Sequence, residues 1–195
     1  PPAPPTAWMD PLLMAVPRDR LARFRTVPAD GKALVVERTG GSGHALAATN
    51  LDVDSTDLEP GTLTALAMTF ANLEVDDVRR AEPDTESAPE DAGLLATRNG
   101  ARFRFWFEGP ESRWARFLRT RAPTDTPSAD PGATSAVKLP GPERLDAWTY
   151  RLPDPTVRRL RTNAADIRMR PSADSPSGAE QSPPGKAPQS ETPDG

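Results

Sequence analysis

The chain has 195 residues, among them 24 prolines, and its apolar fraction of 36% is low for a globular domain. This length supports one domain with a core, but the proline content predicts that part of the chain is not folded. The absence of cysteine and the single histidine exclude thiol nucleophiles, disulfides and metal sites built from several histidines. A net charge of -4 argues against general nucleic-acid binding, and we predict no nucleic-acid partner.

Composition divides the chain into three parts. Residues 1–9 are rich in proline and predict a linker, whereas residues 10–170 carry the apolar patterning of a folded domain. Residues 171–195 contain almost only Pro, Ser, Ala, Gly, Gln and charged residues, so they predict a disordered tail. Inside the domain, residues 81–93 and 123–137 have a similar composition and predict long mobile loops.

The first elements along the chain are predicted as strands. Residues 21–27 and 33–38 are apolar and β-branched runs on either side of a Pro-Ala-Asp-Gly turn, which predicts a hairpin. A third short strand is expected near residues 45–47. The spacing of the apolar residues then becomes helical and predicts a helix. Its apolar face would be formed by Leu63, Leu66, Ala67, Phe70 and Leu73.

A second hairpin is predicted around Asn99 and Gly100. This dipeptide readily takes the two positive φ values of a type I′ turn, and it lies between residues 94–97 and 101–107. A third strand is expected over residues 113–121. We expect Trp114 on this strand to lie in the core.

The strand over residues 101–107 has two chemically different faces. The aromatic face, which we expect to be buried, carries Phe103, Phe105 and Phe107. The opposite face is expected to be solvated, and with the following strand it supplies the candidate binding residues Arg102, Arg104, Trp106 and Arg116. Such side chains can contact phosphates, lipid headgroups or an acidic partner. The alternative is an ordinary solvated face whose arginines form salt bridges with the acidic loops.

Two helices are expected near the end of the domain. The first is predicted from the spacing of Leu145, Trp148, Thr149 and Leu152 and ends at Pro153, with Trp148 in the core. The second begins near Asp154 and buries Val157, Leu160, Ala164 and Ile167. Strands followed by a helix, then strands followed by helices, predict an α+β fold with antiparallel sheets and packed helices. The repeated order suggests two related halves.

No group of residues completes a known catalytic motif. Ser42 and His44 lie in a glycine loop that does not complete a nucleophile elbow, so we interpret them as a solvated loop. Asp52, Asp54 and Asp57 begin like a calcium loop, but Asp57 replaces the glycine at the sixth position and Leu63 the glutamate at the twelfth. We therefore predict no catalytic residue, no metal site and no cofactor.

Residues 145–153, Leu-Asp-Ala-Trp-Thr-Tyr-Arg-Leu-Pro, resemble the Gly-Trp-Ala-Tyr-x-Leu-Pro element of bacterial proteins catalogued as domain of unknown function 4340. Ala147 replaces the usual Gly and Thr149 the usual Ala. The early order of strands and helix and the Asn99-Gly100 hairpin extend the likeness over about residues 10–170. The resemblance implies an N-terminal membrane helix, here absent from the chain, an extracytoplasmic α+β body and genes beside ABC transporters of the gliding-motility type. It carries over no functional residues.

Together these observations lead to the hypothesis of a non-catalytic binding module. The resemblance implies a periplasmic location and anchoring to the inner membrane by a segment absent from this chain. The module would assist a transport system by contacting a membrane transport protein or a lipid-like ligand through its basic sheet. Two alternatives stay open: a hydrolase that uses acidic residues of the middle segment, and a purely structural scaffold domain.

Overall fold

The computed structural model describes residues 10–39, 45–51, 61–82, 88–123 and 137–167. The predicted linker and the predicted tail lie outside these ranges. The same holds for Ser42, His44, Asp52, Asp54 and Asp57, so the interpretations of the glycine loop and of the calcium-like acids stay predictions.

The described residues form short strands and helices in the order expected of an α+β fold. The strands are β1 (Leu12–Met14), β2 (Leu21–Arg25), β3 (Val35–Arg38), β4 (Leu46–Ala48), β5 (Leu73–Glu74), β6 (Asp77–Arg80), β7 (Gly93–Thr97), β8 (Arg102–Phe107), β9 (Trp114–Arg121) and β10 (Trp148–Arg151). The helices are α1 (Thr62–Ala71), α2 (Pro142–Asp146) and α3 (Asp154–Leu160), with a 3-10 turn at Arg18–Arg20.

Eight of these strands form one antiparallel sheet in the order β4-β3-β2-β7-β8-β9-β10-β6. The meanders β2-β3-β4 and β7-β8-β9 meet through their first strands, β2 and β7. Strands β1 and β5 pair separately as a small second sheet. The predicted α+β fold with antiparallel sheets is confirmed, and the two expected halves share a single large sheet.

A chain of aromatic rings fills one side of the large sheet. The rings follow the order Phe24, Phe70, Phe105, Phe117 and Tyr150, with successive centroids 5.6, 6.1, 5.8 and 6.2 Å apart. Phe70 belongs to α1 and packs between rings from β2 and β8, so this helix closes the core over the middle of the sheet. The predicted helix is confirmed, and Leu66, Ala67 and Phe70 of its predicted apolar face are buried. The helix ends at Ala71, so Leu73, which was predicted on the same face, is buried in β5 instead.

The predicted hairpin of β7 and β8 is present, but its turn is not type I′. Gly100 has a φ of 86°, and no residue other than glycine has a positive φ in the described ranges. The amide of Thr97 donates to the carbonyl of Ala101 at 3.0 Å, and the amide of Gly100 donates to the carbonyl of Thr97. This is a three-residue loop in which Gly100 supplies the left-handed residue. Asn99 keeps a role, since its side chain accepts a hydrogen bond from the Thr97 hydroxyl.

The helix predicted from Leu145 to Leu152 is wrong. Helix α2 ends at Asp146, and Trp148 begins strand β10, which pairs with β6 on one side and β9 on the other. Pairing on both sides favours the aromatic and β-branched residues of this stretch in a strand, and this tertiary context outweighs their helical spacing. The last helix does begin at Asp154 as predicted, but Ala164 and Ile167 are buried in turns beyond its end.

Strands β1, β5 and β6 were not predicted. Each has two to four residues, and Val78 is the one apolar residue of β6. Runs this short carry no measurable alternation, and partner strands stabilise them here. No helix within the described ranges has the length and apolar character needed to cross a bilayer.

Candidate functional site

The side of the large sheet opposite the aromatic core carries many of the arginines, and we call it the arginine face. Side chains that are directly opposite on antiparallel strands share a face, so the register defines cross-strand rows. One row, read from β3 to β9, consists of Val35, Arg25, Leu94, Arg104 and Leu118. Aliphatic and cationic side chains alternate along it.

The neighbouring row, also read from β3 to β9, consists of Glu37, Arg23, Ala96, Arg102 and Arg121. Arg23 pairs with Glu37 at 3.1 Å. Arg102 is exposed, as predicted, and lies opposite Arg121, so two cations face each other at the end of β8. This end of the arginine face therefore concentrates positive charge.

Trp106 and Arg116 form the middle of the arginine face. They are directly opposite each other on β8 and β9, and the guanidinium carbon of Arg116 lies 5.6 Å from the centroid of the Trp106 ring. Their exposed fractions are 7% and 8%, so the expectation that both side chains are solvated is wrong. Of the four candidate binding residues, Arg102 and Arg104 are therefore the ones positioned to meet a partner.

Residues 88–91 lie beside this part of the arginine face, while Arg116 donates to the carbonyl of Asp146 at 3.5 Å. Arg104 donates through Nη2 to the carbonyl of Pro89 and, at 3.3 Å, to the carbonyl of Glu90. Pro89 and Asp91 also line a cleft together with Trp106. Residues 88–91, the end of the loop predicted over residues 81–93, thus contact the arginine face. For Arg104, these contacts are to backbone carbonyls and not to carboxylates.

Trp114 occupies the far end of the arginine face and not the core, so that prediction is wrong. The guanidinium carbon of Arg79 lies 4.4 Å from its ring centroid and that of Arg151 lies 5.9 Å away. Arg79 also pairs with Glu108, and Arg151 pairs with Asp77 at 3.8 Å. Here each arginine has both an aromatic and an anionic partner.

Charge compensation therefore differs along the arginine face. Its acids, Glu37, Asp77 and Glu108, each pair with an arginine. No described carboxylate lies within ion-pair distance of Arg25 or Arg102. The two residues flank the aliphatic side chains of Leu94 and Ala96, which are themselves partly exposed. Cations with no described carboxylate partner, beside partly exposed apolar surface, make this part of the face suited to an anionic partner.

The described residues contain no candidate metal site. No three acids or histidines among them come close enough to hold a metal ion. A scan against protein-family models returns no match for this chain, and searches of curated proteins and of solved structures return none either. The resemblance to domain of unknown function 4340 therefore stays a prediction.

Arg23 and Arg25 are site residues that sequence reasoning missed. They alternate with the buried Phe24, just as Arg102 and Arg104 alternate with buried phenylalanines, so the local pattern was present. The missing information was the adjacency of β2 and β7, which places the arginines of the first meander beside those of the second. No local signal fixes that pairing.

Proposed function

We propose that this protein is a non-catalytic binding module that docks an acidic partner on its arginine face. The observation that carries the proposal is the pair Arg25 and Arg102, which lie in adjacent rows without a described carboxylate partner and beside partly exposed aliphatic side chains.

A surface of this kind favours association over solvation for two reasons. Guanidinium groups give bidentate hydrogen bonds to carboxylates and phosphates, and they lose less hydration than ammonium groups on contact. The aliphatic side chains of Leu94 and Leu118 alternate with Arg104 in one row and contribute apolar area to any contact. Charge selects the partner and steers its approach, while the apolar area adds affinity.

The cellular location of the protein and the identity of its partner are also part of the proposal. The resemblance to domain of unknown function 4340 supports an extracytoplasmic module that is held at the inner membrane and assists a transport system. The partner is then a membrane transport protein with an acidic surface, or a lipid-like ligand with an anionic headgroup. Both supply the same chemistry, because arginine forms bidentate hydrogen bonds with carboxylates and with phosphates.

Charge reversal on the arginine face tests the proposal. Two probes represent the two partners: a polyglutamate peptide, and phosphatidylglycerol vesicles with phosphatidylcholine vesicles as the neutral reference. Whichever probe the unmodified protein binds, we expect the double variant Arg25→Glu/Arg102→Glu to bind that probe at least about ten-fold more weakly. Binding of the unmodified protein should weaken with added salt, since exposed charges are screened.

A matched control separates the arginine face from net charge. Arg158 and Arg159 are exposed on α3, which packs on the core side of the sheet, so Arg158→Glu/Arg159→Glu makes the same charge change elsewhere. We expect this control to retain most of the binding. Equal loss in both double variants, or no binding of either probe by the unmodified protein, would contradict the proposal. Binding of only one probe identifies the class of partner.

A further inference from the structure

A small cleft of about 240 Å³ opens beside the turn between β8 and β9. Its walls are mostly apolar and are formed by Val27, Pro28, Pro89, Trp106, Phe107 and Pro110. Neither Arg25 nor Arg102 lines it, so it is separate from the proposed docking region. Its volume lies just below the roughly 300 Å³ at which pockets for drug-sized molecules begin, so its ligand is small.

Arg161 provides a fixed cation in the wall of this cleft. Its Nη2 donates to the carbonyls of Gly109 and Ser112, at 2.7 and 2.8 Å. Its guanidinium carbon lies 4.3 Å from the centroid of the Phe107 ring. Three contacts therefore hold the guanidinium group in one place, so a ligand there meets a preorganised group.

Arg161 forms no ion pair in the described part of the chain, and the only carboxylate there that acts on its charge is that of Glu111, through space. Its Nε is buried and has no hydrogen-bond partner among the described residues. Burial lowers the pKa of Arg161, since removing water disfavours the charged form. The remaining nitrogen, Nη1, makes no hydrogen bond to any described residue. An anion in the cleft would supply the missing acceptor.

Asp91 restricts the kind of anion. Its exposed side chain also lines the cleft, and a second negative charge nearby disfavours a compact multivalent anion such as phosphate. A ligand that carries a cation next to its carboxylate would satisfy both Asp91 and Arg161. The aromatic and proline walls add contact for an apolar side chain.

We infer that this cleft binds a small apolar zwitterion, the chemistry of an apolar amino acid or a short peptide, with its carboxylate on Arg161 and its ammonium group towards Asp91.

Four ligands test this assignment by isothermal titration calorimetry. The probe is the dipeptide glycyl-phenylalanine, compared with its C-terminal amide, its N-acetyl derivative and inorganic phosphate. We expect the dipeptide to bind and the amide to bind at least about ten-fold more weakly, because a charged hydrogen bond is lost. The acetylated form should lose affinity as well, and phosphate should not compete. The indole resonance of Trp106 should shift with the dipeptide.

Two variants test the position of the site. Arg161→Gln removes the cation, and we expect at least about ten-fold weaker dipeptide binding, with Arg158→Gln on α3 as the matched control. Because Arg161→Gln also removes bonds to the β8–β9 turn, Ala29→Phe provides an independent test. Ala29 is exposed and lines the cleft, so a phenyl ring there blocks it without removing the hydrogen bonds of Arg161 to the turn.

Several results would overturn the inference. One is the absence of both binding heat in calorimetry and a shift of the Trp106 resonance when the dipeptide is added. Equal affinity for the dipeptide and its amide is another, and unchanged dipeptide binding by the Ala29→Phe variant is a third. The Arg25→Glu/Arg102→Glu variant should bind the dipeptide as the unmodified protein does. A failure at the cleft and a failure of the docking face are therefore separable.

Discussion

The two sides of the large sheet are built from the same strands but differ in composition and burial. On β8, Phe103 and Phe105 are fully buried on the core side, whereas Arg102 on the other side is exposed. Every ring of the aromatic chain finds its partner within the protein. On the arginine face some cations have internal partners, while Arg25 and Arg102 have no described carboxylate partner. The core side therefore specifies the fold, whereas the arginine face leaves guanidinium groups available to bind a second molecule.

The energies of the two sides differ accordingly. Burial of one phenylalanine side chain contributes about 1.5–3 kcal/mol, whereas an exposed ion pair contributes about 0–1 kcal/mol. Core substitutions should thus reduce stability, and substitutions of uncompensated arginines should reduce binding alone.

The largest loss of stability is expected from Phe105→Ala. Phe105 is fully buried between Phe70 and Phe117, so the substitution leaves a cavity at the centre of the aromatic chain. We expect a loss of about 3–5 kcal/mol in the free energy of unfolding, measured by urea denaturation. A loss below about 1 kcal/mol would show that the aromatic chain is not the core of the fold.

Gly93→Ala tests the packing of the Phe105 ring against the neighbouring strand β7, where Gly93 lies opposite it. A Cβ atom at Gly93 would lie 2.6 Å from Cε1 and 2.7 Å from Cε2 of Phe105, so the ring must move. We expect a loss of about 1–3 kcal/mol from overpacking. Gly109→Ala is the control, because its Cβ would meet no atom closer than the Ser112 Cβ at 4.0 Å. Equal stability of the two variants would contradict the packing described for Gly93.

The ionisation of Tyr150 makes the stability of the protein depend on pH. Its hydroxyl donates to the carbonyl of Arg144, and burial raises its pKa from 10.0 to about 12. Between these values the folded protein holds a proton that the unfolded chain has lost, so stability is complete below pH 10 and falls as pH rises towards 12. Tyr150→Phe should cost about 1 kcal/mol below this window, from the lost hydrogen bond, and should abolish this contribution to the pH dependence.

The chain contains one tyrosine, so its ionisation can be followed directly by absorbance. We expect the tyrosinate band of the folded protein to appear well above pH 10 and to appear at lower pH after denaturation. Ionisation at the same pH in both states would contradict the burial of this hydroxyl.

The smallest effect on stability is expected from Arg25→Glu/Arg102→Glu. Neither side chain has an ion pair or hydrogen bond within the described ranges, so we expect a change within about 0.5 kcal/mol in urea denaturation. A large loss would show that these arginines serve the fold, and their role in docking would then lack support.

The sequence predicted the local elements better than their arrangement. Apolar and β-branched runs, alternation and the turn residues between them identified β2, β3, β7, β8 and β9. Trp148 and Thr149 were misassigned because helical spacing and strand alternation overlap in a segment this short. The arginines at 102 and 104 were found from one strand, but their neighbours Arg23 and Arg25 depend on the β2–β7 pairing. The position of residues 88–91 beside this face depends on the hydrogen bond between Arg104 and Pro89. Such long-range contacts leave no local pattern.

Binding at the arginine face is tested most directly by the side-chain resonances of the arginines themselves. Polyglutamate is added to the labelled protein while the Nε–H signals are followed by NMR. We expect the signals of Arg25, Arg102 and Arg104 to shift in proportion to the bound fraction, and those of Arg158 and Arg159 to stay in place. Shifts of equal size on α3, or unmoved signals at Arg25 and Arg102 despite measurable binding, would contradict docking at this face.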